Sequence, residues 1–171
     1  MSIDLGLLVL RVLVGLVLAA HGAQKLFGWF DGPGLKGFTG WMASMGLKPA
    51  QLWGLLGGLG EFGGGLLLAL GLLSPLGSLG VMGAMAMAIA LAHWSKGFWS
   101  TKGGYEFPLV LFVTSATLGL IGPGAYSLDA LLGIALPTWL FWAGLVGIAL
   151  VVGYGLSLTR QRAAVNQQSA S

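Results

Sequence analysis

The chain has 171 residues, of which 56% are hydrophobic and 8% charged, with a formal net charge of +3. Soluble domains carry about 25% charge, so this composition excludes a water-solvated globule and makes the bilayer the solvent. The small net charge gives no ground for a nucleic-acid partner, and the absence of cysteine removes disulfides, thiolate metal sites and Cys-ligated iron–sulfur clusters from the chain's own chemistry.

The first apolar run, Leu5–Leu26, is long enough to cross a hydrocarbon core of about 30 Å. Met1–Asp4 brings no basic stretch and Arg11 interrupts the run, so the segment is expected to be a span and not a cleaved leader. An Arg at membrane depth costs about 2.5–3.5 kcal/mol on insertion scales, which calls for a carboxylate partner. In the 27–50 connection, Leu35, Phe38, Trp41, Met42 and Met45 recur at helical spacing, predicting a short helix within 33–47 that lies in the headgroup region. The second span, Gln51–Leu73, carries Glu61, and Ser74–Pro75 turns the chain into a third span, Pro75–Trp94. The fourth, Glu106–Ile121, is short; it opens on Phe107–Pro108 and is closed by Gly122–Pro123–Gly124. Leu128–Leu136 is too short to cross, Thr138–Leu158 forms a fifth span, and 159–171 is expected as a disordered tail. The 31 glycines lie among Leu, Ala and Val, as expected where membrane helices approach closely, and such faces also suit a homo-oligomer.

Five spans put the N-terminus, Ser74–Pro75 and the 122–137 connection on one side, which holds no Lys or Arg. The other side collects Lys25, Lys36, Lys48, Lys96, Lys102, Arg160 and Arg162. This asymmetry predicts an N-terminus outside and a C-terminus in the cytoplasm of a bacterial inner membrane.

Two polar groups stand out. Counted from the ends of their spans, Arg11 and Glu61 differ in depth by about 6 Å in a ~30 Å core, so they are expected to form a buried ion pair. Such a pair either fixes helix register or marks a proton or ligand site, and both readings stay open. Near the basic end, His21, Gln24 and Lys25 on span one, His93 at the end of span three and Glu106 at the start of span four form a candidate ligand or proton site. His and Lys donors, a Glu acceptor and Trp94 and Phe98 as apolar walls suit a quinone-type headgroup. The imidazoles and carboxylates come from separate helices, which is weak ground for a metal, and none is assigned. Gly58-Leu59-Gly60-Glu61-Phe62-Gly63 spells a dinucleotide fingerprint, but that motif works only after a strand, and here it falls inside a span.

Leu10-Arg11 followed by His21-Gly22-Ala23-Gln24-Lys25-Leu26-Phe27-Gly28 resembles the DoxX family of small bacterial membrane proteins. Glu61 in a Gly-rich span, Gly103-Gly104-Tyr105-Glu106-Phe107-Pro108-Leu109 and Gly122-Pro123-Gly124-Ala125-Tyr126-Ser127-Leu128-Asp129 extend the resemblance over 3–132. The resemblance implies a four-helix membrane core, with Arg11, His21, Lys25, Glu61 and Glu106 as the positions carried over. It also implies kinship with a subunit associated with thiosulfate:quinone oxidoreductase and with oxidative-stress or hydroquinone-resistance complexes. The fifth span, 138–158, departs from the four-helix form and offers a surface for a partner.

The expectation is thus an all-α polytopic membrane bundle, a four-helix core over 3–132 plus a fifth transmembrane helix. Its leading function is a membrane component of a redox or oxidative-stress system that binds a quinone and works with a soluble redox subunit. The alternatives are a non-catalytic anchor for a soluble enzyme and a small proton-linked transporter.

Overall fold

The computed structural model describes residues 3–168. All regular structure among them is helical: α1 (Ile3–Phe27), α2 (Gly34–Ser44), α3 (Ala50–Leu70), α4 (Ser74–Met87), α5 (Glu106–Ile121), α6 (Leu128–Leu132) and α7 (Trp139–Gln168). Four helical stretches are long and apolar enough to cross a bilayer, namely Ile3–Phe27, Ala50–Leu70, Ser74–Lys96 and Trp139–Arg162. The 16 residues of α5 rise about 24 Å, so the segment read as a short fourth span is an apolar helix but is not among those long enough to cross.

Missing side chains let the helices approach. A Cβ at Gly15 would lie 2.5 Å from the Gly65 carbonyl oxygen and 2.6 Å from the Ala69 nitrogen, and one at Gly22 would strike the backbone of Phe62. The α1/α3 contact is therefore backbone against backbone, the arrangement that small residues permit in membranes. Gly60 and Gly64 do the same for α3 against Gly80, Gly77 and Val81 of α4. The fingerprint-like run Gly58–Gly63 is thus a packing surface within α3.

The chain then runs α1–α3–α4–α5 in order of contact, while α1 and α5 touch only lightly. Leu18, Val81, Ala84, Met85 and Leu111 fill the space between α1, α4 and α5 at mid-height. The predicted short helix in 33–47 is α2, which buries Phe38 and Met42 with Leu47 and Trp53. Helix α7 lies outside this core against α4, with Phe141 buried and Trp53 stacked on Tyr154 at 6.1 Å. The tail expected to be disordered from 159 instead continues α7 as helix to Gln168, because Arg160, Gln161, Arg162, Ala163 and Ala164 are good helix formers. Residues 169–171 of that expected tail lie outside the described residues.

Past Met87 the fourth helix changes pitch. Ala88–His93 forms a π-helical turn and Trp94–Lys96 a 3₁₀ turn. A π turn is frequent at functional sites because it widens the helix and redirects the side chains that follow. Here the side chain affected is His93.

Candidate functional site

The light α1/α5 contact leaves a cavity of about 420 Å³ between α1, α4 and α5, reaching Glu61 of α3. His21 and Lys25 line it from α1, Met85, Ala88 and His93 from the fourth helix, and Phe107, Pro108 and Leu111 from α5. His21 and Lys25, four residues apart, fall on one face of α1. His21 is exposed, its ring 6.0 Å from that of Phe107.

Glu61 is buried, with only 3% of its side chain exposed, and its Oε1 is paired with Lys25 Nζ. The expected Arg11–Glu61 pair does not form. The glycine contacts set the register: Gly22 faces Phe62 and Gly15 faces Ala69, so Arg11 lies about 16 Å along α1 from Gly22. Depth counted from span ends misled because the first turns of α3 overhang α1, where Gly54 meets Thr39 and Gly57 meets Phe38 of α2. Lys25 is the cation at the height of Glu61, and its Nζ also lies 5.0 Å from the centroid of the Phe38 ring.

Glu61 lines the cavity, and its Oε2, itself buried, has no hydrogen-bond partner among the described residues. A buried carboxylate oxygen left unpaired calls for a hydrogen-bond donor. His93 Nδ1 lies 2.7 Å from the Gly103 carbonyl oxygen. A carbonyl oxygen only accepts, so Nδ1 carries the proton, which leaves Nε2 as the nitrogen able to accept whenever the ring is uncharged. The cavity thus brings together a cation, a carboxylate with one unpaired oxygen and two imidazoles inside an apolar wall.

Two of the predicted site residues stand elsewhere. Glu106 Oε2 accepts from Ser100 N–H at 2.9 Å, bracing the 3₁₀ turn Ser100–Lys102. Gln24 Nε2 donates to the Phe30 carbonyl at 3.3 Å and holds the turn after α1. Trp94 and Phe98 do not wall the cavity either; both pack on Tyr105, at 5.2 and 5.6 Å between ring centroids. Their place is taken by Phe107, Pro108 and Met85, and the Phe107–Pro108 pair was legible only as a helix start. No group of three or more His, Asp or Glu able to hold a metal occurs among the described residues.

Arg11 belongs to a separate assembly at the opposite end of α1. It is 2% exposed, donates through Nη2 to the Tyr126 carbonyl, and packs Nη1 over Gly71, where a Cβ would fall on it. Asp129, which the sequence placed only within a motif, organises this end. Its Oδ1 accepts from Leu73 N–H at 2.8 Å, and its Oδ2 accepts from Ser74 N–H at 2.9 Å and from the Ser74 hydroxyl at 2.7 Å. Those bonds cap α4 and hold Leu73 at φ 47°, a left-handed conformation that a branched residue seldom adopts. The Asp129 N–H in turn donates to the Gly71 carbonyl at 2.9 Å. Arg11 is thus a brace for the α3–α4 turn.

The DoxX family model matches residues 6–94, a stretch that holds Arg11, His21, Lys25, Glu61 and His93 and stops before Glu106. Comparison with curated proteins and with solved structures gave no match. Matched over just over half of its 171 residues, the chain belongs to the DoxX family.

Proposed function

We propose that this DoxX-family membrane protein binds a quinone-type headgroup in the Glu61 cavity and serves as the membrane component of a redox system. The observation that carries the reading is buried Glu61, which lines a cavity with Lys25 and His93 and keeps one carboxylate oxygen, Oε2, without a hydrogen-bond partner among the described residues. A quinone-type ring offers oxygens on opposite edges, which accept hydrogen bonds when oxidised and donate them when reduced. Lys25 supplies the donor for the first state; Glu61 Oε2 and His93 Nε2 supply acceptors for the second. A cavity of about 420 Å³ lies within the range of small-molecule sites, roughly 300–1,000 Å³.

When bound, such a ring would carry the two-electron chemistry. The chain's own residues hold it and accept a proton at Glu61. The chain has no cysteine to relay electrons, so the exchange partner is assigned to a soluble subunit docked at the basic end. That end is assigned to the cytoplasm, since it gathers seven of the eight Lys and Arg residues.

Purification in mild detergent, solvent extraction and chromatography test the reading. Wild type is expected to carry quinone near one per chain, Glu61→Gln to lose at least tenfold of it, and Glu106→Gln to keep it. An empty wild-type protein that also fails to take up added benzoquinone overturns the reading and favours a non-catalytic anchor.

A further inference from the structure

The Glu61 cavity has a neighbour at Lys25. A second chamber of about 260 Å³ lies between α2 and the fourth helix, and it shares Lys25, Ala88 and His93 with the first. The two are equally apolar overall and differ in the groups they hold. The first holds Glu61 and both imidazoles; the second is walled by Phe38, Trp41, Met42 and Met45, with Met87 and Leu91 opposite. Besides Lys25 and His93, Lys96 is the one ionisable residue lining it.

Phe38, Trp41, Met42 and Met45 stand at i, i+3, i+4 and i+7, which puts them on one helix face. Phe38 and Met42 are fixed in the core cluster, whereas Trp41 is 43% exposed. Methionine side chains are unbranched and adapt to irregular apolar guests. The shared wall is built by the π turn: Ala88, its first residue, presents only a methyl at the junction, and His93, its last, presents its ring. A chamber with a carboxylate beside a chamber without one, the two meeting at an ammonium group, suits a polar ring with an apolar chain.

We propose that the two chambers form one site for an amphiphile, its polar ring against Glu61 and His93 and a short apolar chain threaded past Lys25 beneath α2. This rests on the headgroup reading above and adds the substrate class: a ring bearing a chain, with α2 gauging the length of chain that is held. The first carbons are held by the protein, and any longer chain continues outside the chamber.

The test uses the full chain in nanodiscs of zwitterionic lipid, with binding read from quenching of intrinsic tryptophan fluorescence. The probes are 1,4-benzoquinones carrying no chain or straight alkyl chains of increasing length. In wild type, affinity is expected to rise about fourfold for each methylene that enters the chamber, then to level off. Met45→Phe, which narrows the chamber from α2, is expected to reduce the rise to the part set by partition into lipid while leaving the chainless ring bound as before; Leu91→Phe serves the same purpose from the opposite wall. An identical rise in wild type and in both variants shows mere partition into lipid and overturns the inference while the headgroup site stands. Failure of every probe, chainless ring included, overturns the headgroup reading and this inference together.

Discussion

Replacing Lys25 by Met keeps an unbranched apolar stem of similar length and removes the charge that neutralises Glu61. The carboxylate then stays at 3% side-chain exposure with neither oxygen partnered. Breaking a buried pair from one side typically costs about 3–5 kcal/mol. Because the Lys25 side chain is 25% exposed, some water reaches the site, and the lower end, about 3 kcal/mol, is expected. For a chain of this size that corresponds to a fall of roughly 6–12 °C in the midpoint of thermal unfolding. The assay is the loss of tryptophan fluorescence on heating in detergent, which the chain's 7 Trp residues make sensitive. Adding Glu61→Leu to Lys25→Met removes the stranded charge and is expected to recover about 2 kcal/mol or more. The control cycle pairs Arg11→Met with Glu61→Leu, whose coupling is expected below about 0.5 kcal/mol for residues this far apart. Strong coupling of Glu61 to Arg11 with none to Lys25 would refute both the α1/α3 register and the site built on it.

Asp129→Ala removes three accepted hydrogen bonds at the start of α4 and is expected to cost about 2–3 kcal/mol, read in the same melting assay, while bound quinone survives below the melting point. Gly22→Leu drives a side chain into the Phe62 backbone; α1 and α3 must separate, and low yield of folded protein on size exclusion is expected, against normal yield for Gly6→Leu, where nothing lies within 4 Å. His93→Phe keeps the ring's bulk but removes both ring nitrogens, and with them the bond to the Gly103 carbonyl; it is expected to weaken quinone retention about tenfold, the worth of one good hydrogen bond, and to cost about 1 kcal/mol in the melting assay.

Hydropathy made the spans legible because a helix in lipid must satisfy its backbone internally, so length and apolarity alone define it. Glu106–Ile121 emerged with the boundaries expected, since Pro108 and Gly122 punctuate it at both ends. Which charge faces which was not legible. Pairing Glu61 with Lys25 instead of Arg11 depends on where α3 starts relative to α1, and that offset follows from α2 packing under the overhang. Spacing placed His21 and Lys25 on one face and His93 at the same end, so three cavity residues were found from sequence. Glu106 and Gln24 were misplaced because a polar side chain at a helix end serves a neighbouring turn as readily as a cavity, and only coordinates separate the two uses.

The π turn at Ala88–His93 has a consequence for how this cavity is encoded. A wider turn acts as one extra residue in an otherwise α-helical ladder, and one residue corresponds to about 100° of rotation. Where His93 points is therefore decided by a count of residues upstream, independent of the chemistry of any of them. Removing one residue from within Ala88–Ala92 would turn the imidazole about a quarter of the way around its own axis of ascent, leaving every side chain before it in place. The wall is tuned by length, a variable that substitution does not reach.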